Sequence, residues 1–460
     1  MVSFIVYDLS FLVLFTLFIF FFLYKNREKL GRDGIIFMYR TQLGVKLIKY
    51  VIDNFSKLLH KVKYVIVATG FILMGFMIYL LGFSFWKYIS DPLIYQLIKA
   101  PPIAPLIPYF PRLFGMQSFF PPFYFAYFII ALLIVAVVHE FSHGIFMRLF
   151  NVRIKSTGFI FLGPILGAFV EQDDKQMKKK PNFEQMTILG AGVFANLIFA
   201  IIFFLILLGF FNLSFVASGY KFNTYAYTII PKSQISGFGN FSENLTEVYV
   251  GNKTYYLDDE LKQNLDKNLT NIILYEGPAI KSQVSGAIIE IDTTKISNQK
   301  DLEIFLAKKS PGEKINLETE GEQGEINNYE IILGEHPYNN SKSYLGIGFL
   351  GGNKRAGLFS RAVNYIVGFK NPSIYYKPVW DGEFVEFIYN FLWWVSIINL
   401  LVALFNMLPL GILDGGRFFY LTVLSITKSE KISKTFFRIV SYAILLIFIL
   451  MLTFWVFRFF

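Results

Sequence analysis

The sequence predicts a multi-span α-helical membrane protein, of about six transmembrane helices, that carries an inserted α/β soluble domain. Three observations predict it. The 460 residues are 54% hydrophobic and only 17% charged, whereas an ordinary soluble chain is about a quarter charged. Six apolar runs, at 3–24, 65–86, 122–147, 184–211, 386–408 and 436–457, reach the ~20 residues that a helix needs to cross ~30 Å of hydrocarbon. One long polar stretch, 212–385, separates the fourth run from the fifth.

The first run is too long for a signal-peptide core and lacks a basic leader and a small-residue cleavage site. It reads as a retained span, residues 1–24, whose single charge, Asp8, is expected near the outer surface. Segment 25–64 is rich in Lys and Arg at helical spacing, the pattern of a cytosolic helix lying on the membrane surface. Basic residues favour the inner side, so the N-terminus is expected outside. Segment 148–182, with Arg148, Arg153, Lys155 and Lys178 to Lys180, then falls inside, 212–385 outside, and Lys428, Lys431 and Lys434 inside again. Sequons at Asn212, Asn240, Asn244, Asn252, Asn268 and Asn339 all fall in the stretch expected outside, with one more at Asn54. The Pro- and aromatic-rich segment 101–122 cannot form a regular helix and is expected at the outer interface.

A net charge of +10 does not indicate nucleic acid here. The basic residues cluster at the ends of apolar runs, and no basic stripe or recognition motif is present. The chain has no cysteine and four histidines, His60, His139, His143 and His336. Disulfides, thiolate metal sites and cysteine nucleophiles are therefore excluded.

Within the polar stretch, 212–276 is Asn-rich and without clear period. Residues 277–350 are more regular. "GAIIEID", "EKINLET" and "NNYEIIL" alternate as strands do, "DLEIFLAKK" is an amphipathic helix, and "SPGE" at 310–313 is a turn. This order, with "YLGIGF" after it, resembles a PDZ domain. Residues 351–385 connect it to the C-terminal membrane core, 386–460, and 65–211 form the N-terminal membrane core.

The candidate site is "VVHEFSHGIF", 137–146. Residues i and i+4 share a helix face, so His139 and His143 present two imidazoles to one metal. Glu140 stands beside them, free to carry protons. This is the H-E-x-x-H zinc arrangement, with the glutamate as general base. Zinc lowers the pKa of bound water toward ~7. Seventeen uncharged residues, 122–138, lead into His139, ~25 Å of helix at 1.5 Å per residue. The motif is thus expected inside the membrane near the cytosolic side, where ionisable groups are costly and functional. Catalytic zinc takes three protein ligands. With no cysteine, and with His60 and His336 in other segments, the third is expected to be a carboxylate. Asp414 in "FNMLPLGILDGGRFF", 405–419, lies at matching depth. Without the histidines, Asp414 would read as the N-cap of the next helix.

These residues resemble the site-2 proteases, intramembrane zinc metalloproteases. "HEFSH" at 139–143 is similar to the family's zinc helix, "NMLPLGILDGG" at 406–416 to its N-x-x-P-x-x-x-x-D-G element, and "GAGVFAN" at 190–196 to its G-x-x-x-N element. "MYRTQLG" at 38–44 looks like archaeal members. The resemblance implies a zinc endopeptidase that cuts transmembrane segments of membrane-protein substrates within the lipid bilayer. His139, His143 and Asp414 would be ligands, Glu140 the base and Asn406 a donor to the developing oxyanion. Gly192 and Asn196 would serve packing. Leu410 and Gly411 follow Pro409 where the family often has a second proline, which implies a looser loop. "TGFIFLGPILGAFVE", 157–171, is a poor helix, broken by Pro164. In the family this place holds a re-entrant β-hairpin whose edge receives substrate. Two other readings stand beside this one: a membrane-embedded metalloprotease acting on peptides in the aqueous phase, and an inactive scaffold presenting its PDZ-like domain. The motif's place in an uninterrupted apolar run favours the first reading over the second, and the intact site residues argue against the third.

Overall fold

The computed structural model describes residues 4–90, 106–117, 120–242, 245–258, 271–321, 324–348 and 369–459. Part of the Pro-rich segment (101–105 and 118–119) and most of the connector (351–368) lie outside the described residues. The chain divides into two compact units, Met1–Phe210 with Glu386–Phe460, and Phe211–Val385. Its longer helices are α1 (Phe4–Lys25), α2 (Leu43–Ser90), α3 (Phe125–Leu149), α4 (Asn182–Ser214), α5 (Gln299–Leu306), α6 (Gly382–Asn406), α7 (Asp414–Thr427) and α8 (Glu430–Phe459).

In the first unit, α1, α2, α3, α4, α6 and α8 are each long and apolar enough to cross a membrane. They account for all six apolar runs and make this a multi-pass membrane protein. The second helix departs from expectation. It runs 48 residues, so the apolar run 65–86 is only its second half. The basic residues of 43–64 belong to the same helix as that apolar run. Its apolar stripe turns inward: Ile48 is fully buried where Gly144 of α3 leaves room, and Ile66 is fully buried against Gly190 of α4.

Upstream of α2, residues 30–41 are not helical. They form β1 (Leu30–Asp33) and β2 (Ile36–Thr41), which join β3 (Ile154–Leu162) and β4 (Ile165–Gln172) in an antiparallel sheet of order β1-β2-β3-β4. The strand residues Phe37 and Tyr39 pair with Phe161 and Phe159 across β2 and β3. Such aromatic cross-strand pairs stabilise a sheet and outweigh the basic flanks that suggested a surface helix. The expected hairpin at 157–171 is β3–β4. Leu162 pairs with Ile165, so Gly163 and Pro164 form the two-residue loop, with Gly163 at φ +58°. That left-handed conformation suits glycine. β4 is an outer strand of this sheet. Its end is anchored at Glu171, which accepts from the Ser156 hydroxyl at 2.9 Å and from Arg40 Nε at 3.3 Å. The Ser156 hydroxyl and the Arg40 guanidinium hold the Glu171 carboxyl below its ordinary range.

Asp8 is buried. Its carboxylate accepts the backbone N–H groups of Phe125 (2.7 Å) and Ala126 (3.0 Å) and the Tyr109 hydroxyl (2.6 Å). The first helical N–H groups lack partners within their own helix, so a side chain from α1 caps the zinc-motif helix α3.

The second unit is β-rich, as an inserted PDZ-like domain requires. Its strands are β5 (Phe215–Lys221), β6 (Thr224–Pro231), β7 (Gly237–Ser242), β8 (Leu245–Val250), β9 (Lys253–Asp258), β10 (Asn271–Glu276), β11 (Ala287–Ile291), β12 (Thr294–Lys295), β13 (Lys314–Glu320), β14 (Ile326–Ile332), β15 (Gly334–His336), β16 (Asn339–Tyr344), β17 (Ile347–Gly348) and β18 (Ile374–Pro378). One sheet has the order β14-β13-β11-β5-β18, with β12 paired to β11. Helix α5 contributes Leu302 and Phe305 to a core with Ile288, Ile291, Ile315, Leu317 and Ile331. The expected strands and helix of 277–350 are all here, but the sheet also takes β5 and β18 from outside those limits. The segment 212–276, patternless in the sequence, supplies most of a second sheet of order β17-β6-β10-β9-β8-β7. Its hairpin β8–β9 turns on Gly251 and Asn252. A Gly-Asn pair between β-prone runs is a turn signal that the Asn-rich composition obscured.

Candidate metal centre

Helix α3 carries His139 and His143 one turn apart, both buried. Their rings stand nearly perpendicular, at 83° with centroids 4.6 Å apart. The third member arrives 275 residues later. Asp414 is the first residue of α7, with Leu413 at the cap position, so its carboxylate does not cap that helix. It points instead at the histidines: Oδ2 lies 3.0 Å from His139 Nε2 and 3.3 Å from His143 Nε2, and the two Nε2 atoms are 3.0 Å apart. The sequence-predicted ligands are thus brought together, with one donor atom from each lying within 4.8 Å of the others.

The loop before Asp414 is tightly held despite its missing second proline. Leu410 N–H donates to Leu408 O at 2.7 Å, Leu413 N–H to Leu410 O at 3.0 Å, and the Ser441 hydroxyl of α8 to Pro409 O at 2.7 Å. Gly415 and Gly416 let the first turn of α7 press against the backbone of Met407 and Leu410, where a Cβ would collide. That close approach seats Asp414.

A metal fits this cluster on two grounds. Tetrahedral zinc with ligand bonds of about 2.0–2.1 Å sets its donors about 3.3 Å apart, close to the spacings found. His143 also has the required tautomer, since its Nδ1–H donates to Ile188 O at 2.6 Å and leaves the Nε2 lone pair facing the cluster.

Helix α4 supports the histidines along one face. Ile188, Gly192 and Asn196 recur at intervals of four. A Cβ on Gly192 would sit 2.6 Å from His143 Nε2 and 2.7 Å from His139 Cε1, so only glycine lets both rings lie against this helix. Asn196, fully buried, places Nδ2 3.1 Å from His139 Nδ1. The sequence reading gave both residues to packing. That holds for Gly192, whereas Asn196 also contacts a candidate ligand. The signal was available: the i, i+4 rule that paired the histidines also pairs Gly192 with Asn196.

Glu140 Oε2 accepts the Val170 N–H of β4 at 3.1 Å. Glu140, Val170 and Asn406 line the same 360 Å³ cleft as His139, His143 and Asp414. Val170 pairs with Thr157 in β3, and its N–H points the other way, so Ala168 and Leu166 also present their backbone groups away from β3.

A paired-histidine, single-carboxylate cluster with an adjacent glutamate, carried on long apolar helices, makes a candidate metal centre. The chain belongs to peptidase family M50, the site-2 protease family, whose model matches residues 127–452. It is also similar to an uncharacterised protein of Methanocaldococcus jannaschii, at 31% identity over 188 residues. That match covers 38% of this chain and 45% of the relative, so it spans less than half of either.

Proposed function

We propose that the protein is an intramembrane zinc endopeptidase that cuts transmembrane segments of membrane-protein substrates. The observation that carries this reading is the convergence of His139, His143 and Asp414 beside Glu140 in one cleft, on a helix long and apolar enough to span. His139 lies fourteen residues past the first residue of α3, ~21 Å along the helix. The positive-inside pattern supports a site near the cytosolic face and an extracytosolic second unit.

His139, His143 and Asp414 would hold the zinc, which supplies a Lewis acid that activates water at neutral pH. Glu140 takes a proton from the attacking water as its oxygen bonds to the scissile carbonyl carbon. It then returns a proton to the amide nitrogen as the C–N bond breaks. Asn406 donates from Nδ2 to the carbonyl oxygen as charge develops there. The free edge of β4 holds the peptide extended through backbone hydrogen bonds, so a helical substrate unwinds locally before it is cut.

The test is cleavage of a membrane-spanning peptide by the full-length protein in liposomes. Chelation should abolish cleavage and added zinc restore it, while Glu140→Gln should bind one zinc and leave the peptide intact. Wild-type cleavage by Glu140→Gln would overturn the mechanism. Equal cleavage of a soluble peptide lacking the apolar span would overturn the intramembrane assignment.

A further inference from the structure

The two histidines differ in what faces their outer nitrogens. For His143 it is a backbone carbonyl, Ile188 O, which only accepts. For His139 it is the Asn196 amide, with Nδ2 3.1 Å from Nδ1. An amide donates from nitrogen and accepts at oxygen, so the way it faces decides the tautomer of the ring. With Nδ2 toward Nδ1, the ring nitrogen must accept. Its proton then sits on Nε2, toward Asp414 at 3.0 Å, and Nε2 has no lone pair for a metal. With the amide turned by 180°, Oδ1 accepts from Nδ1–H and the Nε2 lone pair faces the cluster.

One further observation favours the turned amide. No hydrogen-bond donor reaches Oδ1 where it stands, so nothing there requires an oxygen. Gly192, one turn before, brings both rings against α4, so Asn196 is placed to act on the ring directly. Resting on the zinc reading above, we propose that Asn196 is a positioning residue. Its side-chain carbonyl accepts the Nδ1 proton of His139 and fixes the tautomer in which Nε2 ligates the metal. The zinc pair of histidines is thereby oriented from one helix face, His143 by the main chain at Ile188 and His139 by the side chain at Asn196.

The test uses full-length protein with 15N-labelled histidine imidazoles; the chain contains only four. In the zinc-loaded wild type, His139 should show a protonated Nδ1 and a metal-bound Nε2. The near-isosteric Asn196→Leu should lose that Nδ1 proton signature and weaken zinc, measured by chelator competition, by about 10–100-fold, the usual cost of removing such a support. Asn196→Asp, which keeps an acceptor, should restore both. Metal bound through Nδ1 in the wild type would overturn the proposal, as would an Asn196→Leu protein with unchanged zinc affinity and spectrum. If Asn196→Leu fails to fold, the wild-type spectrum and Asn196→Asp still decide. Wild-type protein that takes up no zinc would overturn the metalloprotease reading itself, an outcome distinct from zinc-binding wild type with an indifferent Asn196.

Discussion

Glu140 Oε2 accepts the backbone N–H of Val170 at 3.1 Å, which places the candidate general base on the free edge of β4. A substrate strand pairing with that edge would compete for the same N–H. The residue that handles protons and the strand that holds the peptide thus meet at one atom, in the cleft that contains the metal cluster.

That meeting point can be tested by removing the N–H alone. Proline has no N–H and is tolerated on outer strands where the N–H faces away from the sheet. Val170→Pro should keep the fold and the zinc, yet cleave a membrane-spanning peptide at least about 10-fold more slowly. Val170→Ala, which keeps the N–H, should cleave at close to the wild-type rate. Equal rates for the two variants would remove β4 from substrate binding.

Gly192 provides a second test. An added methyl would sit 2.6–2.8 Å from atoms of both histidine rings, and forcing extra volume into a packed site costs about 1–3 kcal/mol. Gly192→Ala should therefore weaken zinc binding by at least about 10-fold. Gly209 on the same helix meets nothing within 4 Å of the added Cβ. Gly209→Ala should leave zinc affinity unchanged and raise stability slightly, because alanine favours helix by up to about 1 kcal/mol over glycine. Zinc affinity measured on both variants separates a local clash from a general effect of substitution on α4.

The candidate site was legible in the sequence because its signals are local or scarce. His139 and His143 share a face by spacing alone, and Asp414 stood out as an acidic group at the end of an apolar run. The spans were legible because hydropathy does not depend on partners. What escaped depends on partners far along the chain. β2 is a strand because β3 lies beside it, more than a hundred residues away, and its own basic flanks pointed to a surface helix. Asp8 became a cap only once the first turn of α3 was placed next to it. In 212–276, Tyr255, Leu257, Ile272 and Leu274 form a core that Asn and Gly residues between the strands concealed.

The second unit should lose protection in acid. Asp292 accepts the Asn316 N–H at 2.8 Å and pairs with Lys309 at 3.1 Å. The Asn316 N–H and the Lys309 ammonium lower its pKa from the ordinary 3.8. Glu313 is lowered from 4.5, by the Ser310 N–H first and Lys309 next. A carboxyl with a depressed folded pKa stabilises above its unfolded value, and that contribution is lost as pH falls through the folded one. Lys309, raised above 10.5 by Asp292 and Glu313, contributes below that value and ceases to do so only at higher pH. Hydrogen exchange in 287–333 should thus show constant protection from pH 7 to about 5 and a loss below about 4. The Asp292→Asn protein should lack the part of that loss due to Asp292. An unchanged profile in that variant would remove Asp292 from the account.

The second unit should filter substrates without taking part in the chemistry. No residue of Phe211–Val385 lines the metal cleft among the described residues, so its removal takes away no assigned catalytic group. Deleting 277–350 alone would strip β11, β13 and β14 from a sheet that β5 and β18 complete, leaving their apolar faces exposed. The whole unit is the better target. It leaves and returns to the helices at neighbouring points, since Val379 N–H donates to Ser214 O at 2.9 Å. A short Gly/Ser linker replacing 217–377 can therefore join the ends of α4 and α6 without a long span to cover. The shortened protein should bind zinc and cut a short membrane peptide at a rate within a few-fold of wild type. It should also cut a substrate that still carries a large folded extracytosolic domain, which the intact protein should exclude. Zinc-loaded, folded protein that is dead toward the short peptide would show that the unit delivers substrate rather than screening it.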